Sequence, residues 1–173
     1  DASGSVHLGG LFSGGDLTFP RLALVGEYDG FALKLDSTGA VTWARGFGNL
    51  TPGASAAAVA TVLDGSGFQY LAGYFQGKAL EIGNVTVSGK GWQDAFVAKL
   101  DSAGDLVWVR NFGGGNAATS ARSIAVDGSG NVYLAGDFYQ DSLTTPPLAR
   151  SGDRDALVIK LDADGDLSWA KKF

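Results

Sequence analysis

The feature that most constrains this chain is that it says the same thing three times. Val6-His-Leu-Gly-Gly-Leu-Phe12, Gln69-Tyr-Leu-Ala-Gly-Tyr-Phe75 and Val132-Tyr-Leu-Ala-Gly-Asp-Phe138 align, with Gly10, Gly73 and Gly136 spaced 63 and 63 residues apart. A second block follows each: Asp29-Gly-Phe-Ala-Leu-Lys-Leu-Asp36, Asp94-Ala-Phe-Val-Ala-Lys-Leu-Asp101 and Asp155-Ala-Leu-Val-Ile-Lys-Leu-Asp162. A third block closes each unit around Trp43, Trp108 and Trp169, which fall 65 and 61 residues apart. In two copies a further apolar run precedes the first block, Ala58 to Asp64 and Ala121 to Asp127. Self-similarity at a fixed long period marks a stacked repeat architecture.

Each unit reads as four short strands, A to D in chain order. β-branched and aromatic residues dominate them, and no stretch carries a helical period. Asp64-Gly-Ser-Gly67 and Asp127-Gly-Ser-Gly130 join A to B, and Asp36-Ser-Thr-Gly39, Asp101-Ser-Ala-Gly104 and Asp162-Ala-Asp-Gly165 join C to D. These are hairpin turns, and they hold seven of the 27 Gly. A four-stranded unit that repeats and cannot bury both faces alone is a propeller blade. The expected fold is therefore all-β, a propeller segment of three blades at 1–48, 49–113 and 114–173. The Ala-rich strand at Ala56 to Ala60 suits the crowded central axis.

These blocks resemble the bacterial SBBP β-propeller repeat and, more distantly, the NHL repeat. The resemblance rests on Tyr-Leu-Ala-Gly at 70–73 and 133–136, on the Asp94 to Asp101 block and on the Trp strand. It implies a propeller in secreted or surface proteins of bacteria, and it implies no catalytic residues. The unit here is longer than the compact repeat, and Pro-containing loops interrupt two copies.

At the 63-residue spacing Asp1 falls over Asp64 and Asp127, so Asp1 to Gly4 reads as an A–B turn and strand A of the first blade is missing. The chain does not begin with Met. Propellers usually have about 4–8 blades, so three do not close a ring. The expectation is either a segment of a longer propeller or a chain that completes itself with further blades of the same or another chain.

A net charge of −5 argues against nucleic-acid binding, which needs a basic face. No apolar run approaches a membrane span, so direct insertion is not expected. Zero Cys removes thiol chemistry and disulfides. His7 is the only histidine, stands where Tyr70 and Tyr133 stand in the other units, and reads as a packing substitute. No nucleophile elbow or phosphate loop is present. The chain is thus not expected to be an enzyme, although loop carboxylates leave a glycan-active alternative open. No cofactor is expected. Asp162, Asp164 and Asp166 are weak candidates for calcium, but Gly165 stands fourth where a calcium loop of the EF-hand type needs it sixth.

Repeat positions sort structural residues from candidate contacts. The recurring Trp residues read as blade packing rather than ligand platforms. Asp29, Asp94 and Asp155 read as acceptors of backbone N–H groups, with Lys34, Lys99 and Lys160 pointing outward. The B–C connections (Ser13–Tyr28, Gln76–Gln93, Tyr139–Arg154) and the D–A connections (Gly48–Ser55, Gly113–Ser120) are long and differ in every copy. Variable loops on a rigid frame are where binding sits. Their non-repeating contact residues are Trp92, Tyr139, Gln140, Arg150, Arg154, Lys78 and Glu81, a set suited to a protein or glycan partner.

Overall fold

The computed structural model describes residues 1, 3–15, 17–18, 21–23, 26–49, 51 and 53–173. Asp16, Phe19, Pro20, Leu24 and Val25 of the first B–C connection, Leu50 and Pro52 of the first D–A connection, and Ala2 of the first turn lie outside the described residues. The described chain is all strand and turn. In order the strands are β1 (Val6–Ser13), β2 (Leu17–Thr18), β3 (Arg21–Leu22), β4 (Tyr28–Leu35), β5 (Val41–Gly48), β6 (Ala56–Leu63), β7 (Gln69–Gln76), β8 (Ala79–Ile82) and β9 (Val85–Ser88). They continue as β10 (Gln93–Leu100), β11 (Leu106–Phe112), β12 (Ala118–Val126), β13 (Val132–Tyr139), β14 (Leu143–Thr144), β15 (Pro147–Leu148), β16 (Arg154–Leu161) and β17 (Leu167–Lys172). No described helix is long and apolar enough to cross a membrane.

The long strands pair as antiparallel runs that follow the repeat: β1-β4-β5, then β6-β7-β10-β11, then β12-β13-β16-β17. Register is the same in each. Gly10, Gly73 and Gly136 face Phe31, Phe96 and Leu157, and Lys34, Lys99 and Lys160 face Trp43, Trp108 and Trp169 ahead of a bulge. A single parallel bridge, Gln93 to Ala118, ties the second and third runs into one eight-stranded sheet.

Each turn is fixed by its leading Asp. Asp64 Oδ1 accepts from the Ser66 and Phe68 amides, Asp101 Oδ1 from Ala103 and Asp105, and Asp127 Oδ1 from Ser129 and Asn131. Asp1 does the same for Ser3 and Ser5, which places it in register with the other A–B turns.

Two apolar cores lie between the runs. One joins Trp43, Phe47 and Ala32 to Leu71, Phe75 and Phe96, and the other joins Tyr70, Val97, Trp108 and Phe112 to Leu134, Phe138 and Leu157. Side chains alternate along β7 and β10, so the middle run serves both cores, as period-2 geometry requires. Ala56, Ala57 and Ala58 are buried, and β6 lies against both β1 and β12. Small side chains permit that approach.

The strand count per unit differs from the expected four. Every B–C connection holds a short hairpin, β2–β3, β8–β9 and β14–β15. The hairpin β8–β9 leaves its own unit and pairs with β5 through Phe47–Ile82 and Gly48–Glu81, giving a five-stranded sheet. The cause is apolar: Leu80 and Ile82 are buried in the core under Phe47.

Candidate binding site

The variable connections place an exposed indole over a groove. Trp92 is 52% exposed. It lines an open cavity of about 460 Å³ with Thr51, Ala54, Gln76, Lys78, Lys90 and the backbone of Gly77, Gly89 and Gly91. The groove joins a D–A and a B–C connection of one unit. Its throat depends on glycine: a side chain on Gly89 would lie 2.4 Å from the Gly77 carbonyl.

The floor is held by a hydrogen-bonded chain. Asn49 Nδ2 donates to the Gln76 carbonyl at 2.6 Å, and its Oδ1 accepts the Thr51 amide at 2.7 Å. Gln76 Nε2 donates to Gln93 Oε1, and Gln93 Nε2 donates to Ser120 Oγ at 2.7 Å in the next unit. Lys90 gives its amide to Asp94 Oδ2 and its ammonium to the Asn111 carbonyl. Burial pushes the Lys90 ammonium below its ordinary value, partly offset by Asp94. Burial also pushes the Asp94 carboxyl up against the opposing pull of the Lys90 amide and Asn111. Lys78, by contrast, is exposed at the rim.

The remaining expected contact residues do not join this groove. Glu81, on β8, lines a separate concavity of about 290 Å³ with Leu22, Asp29 and Phe47. Tyr139 and Arg154 stack, the guanidinium 4.6 Å from the ring centroid. Arg154 also lies 3.4 Å from Asp137, which accepts from Arg122 Nε at 2.7 Å. Gln140 follows as an exposed residue at φ 72°, and Arg150 is exposed beyond β15.

The segment that runs from β11 through β12 into β13 matches a known repeat. Residues 107–137 match the family model of the SBBP β-propeller repeat. The matched span takes in strand D of one unit with A and B of the next. No curated protein matches the chain. Among solved structures it is similar to a protein of unknown function from Bacteroides caccae, at 11% identity and a TM-score of 0.25, over 94% of this chain and 72% of that one.

The polar residues that recur from unit to unit have structural partners. Asp94 takes the Lys90 amide, Asp155 the Ser151 and Gly152 amides, and Asp29 the Gly26 amide. Lys99 and Lys160 cover the rings of Tyr70 and Tyr133. His7 packs edge-on to Trp43 as Tyr70 does to Trp108, with Nδ1 3.2 Å from Gln69 Oε1. The carboxylates at the calcium candidates diverge: Asp162 Oδ1 accepts the Asp164 and Asp166 amides, and Asp166 faces Arg110 at 3.4 Å. Among the described residues no group of three His, Cys, Asp or Glu side chains converges on a metal-sized site.

Sequence reasoning missed Thr51, Gln76 and Lys90 in the groove, and the Arg122–Asp137 pair. A signal existed for the pair. Arg122 and Asp137 replace Val59 and Tyr74 at repeat positions, so they are departures from the repeat that lie inside strands rather than in the variable loops.

Proposed function

We propose that this chain is a three-blade SBBP propeller segment, with blades at 1–48, 49–113 and 114–173, that acts as a non-catalytic binding module at a bacterial cell surface or in secretion. The ligand class we assign is a glycan, held in the Trp92 groove. The observation that carries this is an indole more than half exposed over a groove whose floor is pinned by hydrogen bonds. An aromatic platform stacks on the C–H face of a sugar, and the Gln76 side-chain carbonyl on the floor and the Thr51 hydroxyl suit ring hydroxyls. Lys78 favours a sugar that carries a carboxylate or sulfate.

Calorimetric titration with a panel of neutral and acidic oligosaccharides tests this. Binding of an acidic member is expected, with Trp92→Ala weakening it at least tenfold, equivalent to about 1.4 kcal/mol. The oligosaccharide recovered intact by mass spectrometry supports binding without turnover; cleavage would favour the glycan-active enzyme. No binding by any member, or binding indifferent to Trp92→Ala, would overturn the assignment. Exposed apolar faces on the outer sheets favour a second reading, a building block joined to further blades.

A further inference from the structure

Two matching cavities lie between successive units, and they differ in size. The first, about 410 Å³, sits between the first two units and is lined by Arg45 and Phe47 of β5 and by Gly104, Asp105 and Leu106 of the second unit. The other, about 200 Å³, is lined by their repeat counterparts Arg110, Phe112, Gly165, Asp166 and Leu167.

The difference has a cause in the sequence. Ala32 pairs with Arg45 across β4 and β5, as Val97 pairs with Arg110 across β10 and β11. Ala32 lines the larger cavity, and its small side chain leaves room there. In the smaller one Lys90 forms part of the wall, its ammonium on the Asn111 carbonyl at 2.9 Å. The tip of the hairpin β8–β9, at Ile82, Gly83 and Asn84, closes one side of the larger cavity. Open space between packed sheets costs stability, because the atoms that line it lack partners on one side. The chain keeps that space at one interface and narrows it at the next.

The walls and the mouth of the larger cavity differ in chemistry. Ala32, Phe47, Ile82 and Leu100 are apolar and buried. Phe47, edge-on to Phe96 at 5.5 Å, supplies an aromatic wall. At the mouth the Arg45 guanidinium lies 3.0 Å from the Asp105 carboxylate, and both reach solvent. A ligand carboxylate would meet Asp105 there, and a ligand ammonium would meet Arg45. A hydroxyl suits the pair, because it accepts from the guanidinium and donates to the carboxylate. The volume lies toward the small end of ligand sites, which span about 300–1,000 Å³. We infer that this cavity is a second binding site, separate from the Trp92 groove, for a small uncharged molecule with an aromatic body and one hydroxyl. The body lies against Phe47, Ile82 and Leu106, and the hydroxyl bridges Arg45 and Asp105.

Methyl NMR titration with 4-ethylphenol tests it. Saturable shifts are expected at the methyls of Ala32, Ile82 and Leu106, with the same midpoint in Trp92→Ala. Ala32→Val gives the larger cavity the side chain that stands beside Arg110, and is expected to weaken binding about tenfold or more. Leu106→Phe fills the cavity from its half-buried rim and carries the same expectation if Ala32→Val does not fold. Two probes with the same body, 4-ethylbenzoate and 4-ethylbenzylamine in its charged form, are each expected to bind about tenfold more weakly than the phenol. Absence of saturable shifts at these methyls, or loss of them in Trp92→Ala, would overturn the site. So would a folded cavity-filling variant that binds as the wild type does, or a charged probe that binds as tightly as the phenol.

Discussion

In the middle run, β6-β7-β10-β11, both faces of the central strands are covered; in the outer runs only one is. Seven of the eight residues of β10 are buried, while β16, built from the same block, alternates between exposed and buried. The sequences at these positions are close to identical, as Asp94-Ala-Phe-Val-Ala-Lys-Leu and Asp155-Ala-Leu-Val-Ile-Lys-Leu show. The difference is therefore one of neighbours rather than of residues. A repeat position has no fixed energetic value. It acquires one from the sheet stacked against it.

The tryptophans test this most severely. Trp108→Ala opens a cavity in the core shared by the second and third runs and removes the bond to the Ala163 carbonyl, and is expected to cost about 3–5 kcal/mol. Trp169→Ala, the same substitution one repeat later, is expected to cost about 1 kcal/mol or less when measured on dilute protein. Chemical denaturation of both variants reads the difference directly. Equal losses would mean that Trp contributes within its own sheet, and the comparison between middle and outer runs would fail.

Glycine gives the next largest contrast. A side chain on Gly73 would lie 1.9 Å from the Ala57 carbonyl, and one on Gly136 2.0 Å from the Ser120 carbonyl, because the paired strand A bulges there, at Ala58/Ala60 and Ala121/Ser123. Backbone cannot give way as a side-chain tip does. Gly73→Ala and Gly136→Ala are each expected to cost about 3 kcal/mol. Among the described residues the nearest neighbour of a side chain on Gly10 is the Phe31 ring at 2.7 Å, which can turn. Gly10→Ala is expected to cost about 1 kcal/mol. A denaturation series over the three variants would break the account if Gly10 proved the most sensitive.

What could be read from the sequence follows the same division. The repeat, the turns and the strand register were legible because each depends on local chemistry: an Asp that accepts its own turn amides, a Gly at positive φ such as Gly104, an alternation of side chains. The hairpin β8–β9 also carries a local signal, the Gly83-Asn84 turn between Leu80-Glu-Ile82 and Val85-Thr-Val87. Its docking on β5 was not legible, since nothing in residues 79–88 names Phe47 as a partner. The candidate site divides likewise. Trp92 and Lys78 stood out as departures from the repeat, whereas Thr51 and Gln76 reach the groove only because Asn49 ties one connection to the other.

The smallest expected effect concerns a strand-B position where the first unit departs from the other two. Tyr70 and Tyr133 donate their hydroxyls to Asp64 and Asp127 and lie under Lys99 and Lys160. His7 stands there in the first unit, buried, with its pKa lowered chiefly by burial and further by Lys34, against the raising effect of the Gln69 bond. Asp1 lies 3.6 Å from Nε2, too far for a hydrogen bond that would offset the burial. The folded state therefore binds a proton less readily than the unfolded chain. As pH falls through the ordinary histidine value of about 6.5, the unfolded state gains protons first and stability declines. His7→Tyr removes that dependence and brings a hydroxyl toward Asp1, a gain of about 0.5–1 kcal/mol at neutral pH. Melting midpoints of the two proteins between pH 7.5 and about 5.5 should diverge as the pH is lowered, the wild type falling faster. The carboxylates common to both cancel in the difference. Parallel curves would show that the imidazole is neutral to folding.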